Sequence, residues 1–117
     1  MQYLIRSKAG ENVIAGPPEQ AISLVENVAI PSLKMLAEGE RSKKFVGGAV
    51  AGQRGWAIIA DFPNNDEANK WVMSLPFWTI ETVEIIPLVS FQSQADSVNK
   101  VVQGMKSMLK EGLEIPF

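Results

Sequence analysis

The sequence predicts an α+β domain built on one antiparallel sheet, in the element order β-α-β-β-α-β with a further helix at the C-terminus. Three observations carry this. Short β-favouring runs alternate with segments of helical periodicity. A hairpin signal sits in the middle of the chain. The length of 117 residues, with 46% hydrophobic and 21% charged residues, suits a single globular core.

The first strand is Gln2 to Ser7, where Tyr3 and Ile5 alternate with Leu4 and Arg6, and the polar cluster from Lys8 to Asn12 ends it. After a second loop, Gly16-Pro17-Pro18-Glu19 marks a helix start, because proline in the first turn lacks only an N–H that has no partner there. Ile22, Val25, Ala29, Leu33 and Leu36 recur at steps of three or four and define one helical face. Pro31 interrupts that face and predicts a kink or break, with a second helical segment ending near Gly39.

Lys43 to Gly52 and Arg54 to Phe62 read as the two arms of a hairpin around Gly52-Gln53-Arg54-Gly55. In the second arm Trp56, Ile58, Ala60 and Phe62 share one face while Ala57 and Ile59 share the other, so both faces need cover. Asn64 then caps a helix, with Glu67 in the reciprocal position, and Ala68, Trp71, Val72 and Leu75 form its apolar stripe before Pro76 stops it. The β-branched run Thr79 to Val89 is the fourth strand, and Pro87 places it at a sheet edge. From Ser93 to Lys110, Val98, Val101, Val102, Met105, Met108 and Leu109 line one helical face and Gly112 caps the end.

This order is the split β-α-β, or ferredoxin-like, arrangement. It divides the chain into residues 1–92, the sheet domain, and residues 93–117, a helical extension expected to pack on the core or on a partner subunit. Helices cover one face of such a sheet. The other face is apolar here, which predicts self-association as a homodimer or larger homo-oligomer.

Composition narrows the function. Eleven Lys and Arg against 13 Asp and Glu leave a net charge of -2, without the basic excess that nucleic acid demands. The chain has no Cys and no His, the usual ligands of haem, iron-sulfur and zinc centres. No cofactor is therefore expected, and chemistry must use carboxylates, cations, hydroxyls or the backbone. Apolar runs too short for a bilayer and an N-terminus without signal-peptide features predict a cytoplasmic protein with no membrane partner. The glycine tract Gly47 to Gly55 is not a phosphate loop, since Gln53-Arg54 follows Gly52 where Lys-Ser or Lys-Thr is required.

Arg6 and Glu84 are charges embedded in strands that are antiparallel neighbours in this topology. They read either as a structural ion pair or as a carboxylate base beside a cation that stabilises an enolate. Trp56 and Trp78 stand at strand boundaries, where an indole fills a core or lines a pocket. Arg54, in the hairpin turn, joins them as a candidate for shaping a small-molecule pocket.

From Leu36 to Leu88 the chain resembles the muconolactone isomerase group of the dimeric α+β barrel superfamily. The resemblance rests on Leu36-Ala37-Glu38-Gly39, Ala51-Gly52, Asp61, and above all Ser74-Leu75-Pro76-Phe77-Trp78 leading into Val83-Glu84-Ile85. It implies a barrel made from two sheets, a cofactor-free isomerase acting on a small acidic or carbonyl-containing ligand, Glu84 as base and Arg6 as the basic residue of the first strand. The chain departs from the family at Gly47-Gly48, at Thr82 and at Ser90-Phe91-Gln92, where the family carries Trp-Arg, Asp and Arg-His-Pro. A second expectation is therefore a small-ligand-binding or assembly module on the same fold without the chemistry.

Overall fold

The computed structural model describes residues 1–9 and 16–112. Of the loop expected over Lys8 to Asn12, Lys8 and Ala9 instead continue the first strand, paired with Thr82 and Glu81, and the rest lies outside the described residues. Four strands, β1 (Gln2–Ala9), β2 (Phe45–Ala49), β3 (Trp56–Asp61) and β4 (Glu81–Leu88), form one antiparallel sheet in the order β2-β3-β1-β4. Each β-α-β crossover thus spans a strand of the other: β3 lies between β1 and β2, and β1 between β3 and β4. This is consistent with a ferredoxin-like α+β fold, and β4 with Pro87 lies at an edge as expected.

The helical side holds the core. Tyr3 and Ile5 of β1 are fully buried, flanked by Trp56, Ile58 and Ala60 of β3 and Phe45 of β2. Helix α3 (Asn65–Ser74) contributes Ala68 and Val72, and its start is tied down twice. Asn64 Oδ1 accepts from the Glu67 N–H at 3.0 Å, and the Tyr3 hydroxyl donates to Asn65 Oδ1 at 2.8 Å. Trp71 stands over Phe45, Phe62 and Trp56 at ring-centre distances of 5.7, 5.8 and 6.4 Å. Aromatic edges and faces at these separations add to simple burial.

Helix α1 (Pro18–Leu24) and α2 (Ile30–Arg41) are joined without a break through a π-helical turn, Val25–Ala29. Of the kink or break expected at Pro31, the break is absent and the irregularity takes the form of the π turn. In a regular α-helix the Pro31 ring would crowd the carbonyl four residues back. The wider turn before it, in which the Ile30 N–H reaches the Val25 carbonyl, relieves that clash and lets the helix continue. The helix also runs past Gly39 to Arg41, and Lys43 then adopts a left-handed φ of 59° to reverse the chain. Ser32 is the one fully buried polar residue among those described, and its hydroxyl accepts from the Phe77 N–H at 2.9 Å.

Both hairpin arms are shorter than expected, because a broad connection closed by the Val50 N–H to the Gly55 carbonyl (2.8 Å) takes up their inner ends. Gly47, at φ 151°, passes so close to β3 that a Cβ would lie 2.1 Å from the Ala57 carbonyl oxygen. The glycine tract therefore serves close strand pairing. The fourth strand starts at Glu81, since Pro76–Thr79 form a 3-10 turn instead.

Helix α4 (Phe91–Lys110) begins two residues before its expected start, capped by Ser90, whose hydroxyl accepts from the Ser93 N–H at 3.1 Å. Among the described residues, packing of this extension on its own core is not found: every residue from 91 to 104 is exposed, including Val98, Val101 and Val102. Its two-residue lead from the edge strand carries it away from the sheet, and the molecule is 71 Å long as a result.

Candidate functional site

Strand parity decides which charged residue faces which side. Tyr3 and Ile5 point to the helices, so Leu4 and Arg6 lie on the open face, and the β1–β4 register sets Arg6 opposite Glu84. The pair forms as an ion pair, Arg6 Nε donating to Glu84 Oε2 at 2.8 Å. More than half of each side chain is exposed, at 57% and 53%. Neither residue lines the three main cavities found among the described residues. An ion pair this exposed contributes about 0–1 kcal/mol.

The helical side holds a cavity of about 390 Å³. Leu24, Val25, Ala29 and Leu33 wall it from the helix that contains the π turn, and Phe77 and Ile80 close it from the 3-10 turn. Ala49, Gly55 and Trp56 form its floor along the hairpin, with Gln53 and Arg54 on the exposed connection at its rim. This volume lies within the range of small-molecule sites, roughly 300–1,000 Å³. Val25 and Leu33, placed by their periodicity on a core face, are exposed because they border this space.

Among the described residues one carboxyl lines it, that of Glu81. The Trp56 indole N–H donates to Glu81 Oε1 at 3.0 Å, while the Trp56 backbone N–H donates to the Ser7 hydroxyl at 3.2 Å. Burial pushes the Glu81 pKa up; hydrogen bonds from the Trp56 and Ser7 side chains draw it part of the way back. Glu81 is thus a carboxyl poised for proton exchange closer to neutrality than a surface glutamate, held by a buried ring whose own position is set by Trp71.

Of the residues predicted from sequence, Trp56 and Arg54 meet at this cavity, whereas Arg6 and Glu84 pair on the opposite face of the sheet. Trp78 belongs to neither group: it lies in the 3-10 turn, 48% exposed, away from the cavity wall. Sequence reasoning passed over Glu81. Its signal was parity, since Glu81 shares the inward phase of Val83 and Ile85 and Glu84 does not. Among the described residues no group of three or more acids could hold a metal ion, and no helix is long and apolar enough to cross a membrane. The sequence matches no family model and no curated protein sequence.

Proposed function

We propose that this protein binds a small carbonyl-containing molecule in the helix–sheet cavity and shifts a proton on it without a cofactor, Glu81 acting as the base. The observation that carries this reading is a carboxyl of raised pKa on the wall of a largely apolar cavity, held by the Trp56 indole. In the reaction, a proton leaves the carbon next to the carbonyl for the Glu81 carboxylate and the electron pair moves onto the carbonyl oxygen. Where the ligand carries a double bond between the second and third carbons from the carbonyl, the pair moves back through the chain and the proton returns to the third carbon, shifting the double bond into conjugation, so atoms and electrons balance with no further reactant. The role that the family resemblance gives Glu84 is supported better for Glu81, because Glu81 lines the helix–sheet cavity and Glu84 does not.

The test is exchange of carbon-bound hydrogen in heavy water, followed by NMR over a panel of small ketones, enones and lactones. Wild type should accelerate exchange for at least one compound. Glu81→Gln should lose about 10²–10⁴-fold in rate while still binding it. Absence of both binding and exchange across the panel would overturn the proposal.

A second reading concerns assembly, and a different observation favours it. On the open sheet face Val46, Ile59, Leu4 and Ile86 stand in one register row across all four strands. Val46 and Ile59 are 66% and 40% exposed, and the adjoining row carries the mutually neutralising Arg6 and Glu84. A second copy turned face to face would cover this row without bringing net charge together, giving the two-sheet barrel that the resemblance implies. Light scattering of wild type and Ile59→Lys tests it: a dimer converted to monomer is expected, and a monomeric wild type at micromolar concentration would end this reading.

A further inference from the structure

We infer that the cavity selects neutral ligands, with a largely apolar body and a single hydroxyl or carbonyl end, and discriminates against carboxylates and other anions. This rests on the cavity being a binding site and narrows its ligand class, away from the acidic substrates that the family resemblance implies.

The walls argue for the apolar body. Leu24, Val25, Ala29, Leu33, Phe77 and Ile80 offer a bound molecule hydrocarbon and no hydrogen-bond donor on their side chains. The polar floor argues against an anion. An entering carboxylate would need N–H or O–H donors to replace its water. The indole N–H of Trp56 is already given to Glu81 Oε1, and the Trp56 backbone N–H to Ser7. What remains on the inner wall is the Glu81 carboxyl itself, a like charge when ionised and an acceptor for a ligand hydroxyl. When protonated, the same group donates to a ligand carbonyl, and burial keeps that form populated at higher pH than on a surface glutamate. The other side-chain donors of the lining among the described residues, the Gln53 amide and the Arg54 guanidinium, lie on the exposed hairpin connection at the rim, where water competes for both and salt screens the charge.

Isothermal calorimetry at neutral pH with β-naphthol and β-naphthoate, which share one ring system, tests the discrimination. Wild type should bind the naphthol at least about tenfold more tightly, a difference of about 1.4 kcal/mol. Glu81→Gln should narrow the gap by strengthening naphthoate binding, since the like charge is gone. Ala29→Phe, which fills the cavity, should abolish naphthol binding, with circular dichroism checking that the fold persists; Val25→Trp serves the same purpose if it does not. Naphthoate bound as tightly as naphthol, or a gap unchanged by Glu81→Gln, would overturn the ligand class while leaving the cavity as a site. If neither compound binds, and no ketone, enone or lactone of the panel does, it is the binding reading that fails.

Discussion

Replacing Trp56 by Phe separates a ring that merely fills space from one that holds the Glu81 carboxyl. Trp56 is 2% exposed and touches both Trp71 and the cavity, so the smaller ring leaves a partial void that costs roughly 1–2 kcal/mol. Loss of the 3.0 Å indole bond to Glu81 adds about 1 kcal/mol, below the roughly 1.5–3 kcal/mol of a bond to a charged acceptor because Glu81 is only half-buried. The expected destabilisation is roughly 2–3 kcal/mol by urea unfolding. Its pH dependence is the sharper test. The indole bond favours the ionised carboxyl, so removing it moves the folded-state pKa of Glu81 further up. Wherever the variant still holds a proton that wild type has released, its stability falls faster as pH rises. The penalty should therefore be smaller in acid and reach full size above the folded-state pKa. A double-mutant cycle with Glu81→Ala should return a coupling of about 1 kcal/mol at high pH. A penalty independent of pH, with strictly additive single substitutions, would show that Trp56 does nothing for Glu81.

Glu81→Gln keeps an oxygen for the indole and removes the charge that burial disfavours. The raised folded-state pKa means that wild type loses stability as pH rises through it, so the variant should melt higher than wild type at neutral pH and match it below the ordinary glutamate range. Calorimetric melting at both pH values checks this, and a variant less stable at neutral pH would contradict it. Arg6→Ala and Glu84→Gln should each cost less than about 1 kcal/mol and leave ligand binding intact, because the pair is exposed and remote from the cavity; loss of binding would move the site to the open face. Gly39→Ala would place a Cβ 2.1 Å from Phe45 Cε2, so overpacking of about 1–3 kcal/mol should outweigh the roughly 1 kcal/mol that alanine adds to a helix. Phe45→Leu in the same chain should restore part of the loss, and unfolding curves that show no such rescue would refute the contact.

Much of the fold was legible locally. The phase of Trp56, Ile58 and Ala60 identifies the buried face of β3 because side chains alternate along a strand whatever it pairs with. Asn64 and Glu67 mark the start of α3, since a cap acts within one turn. Pro87 marks an edge because a residue without an N–H cannot donate to a further strand. Pro31 was legible only as a disturbance. Whether a proline breaks a helix or widens its turn depends on what packs beyond it, and Ser32 holding the Phe77 N–H anchors the segment just past the π turn.

The candidate site was less legible, for a related reason. Pairing of Arg6 with Glu84 follows from antiparallel neighbours in register, and the structure forms it. Yet register says nothing about enclosure. Residue order and type alone determined the strands, the capped helix, the shared phase of Glu81 with Val83 and Ile85, and the absence of thiol and imidazole ligands. Only the tertiary structure decided that Glu81 and Trp56, 25 residues apart, meet at a cavity wall, and that α4 projects free of its own core. A cavity is the space left between elements that fail to close on one another, so it depends on the distance from helix to sheet, which no local pattern of residues encodes.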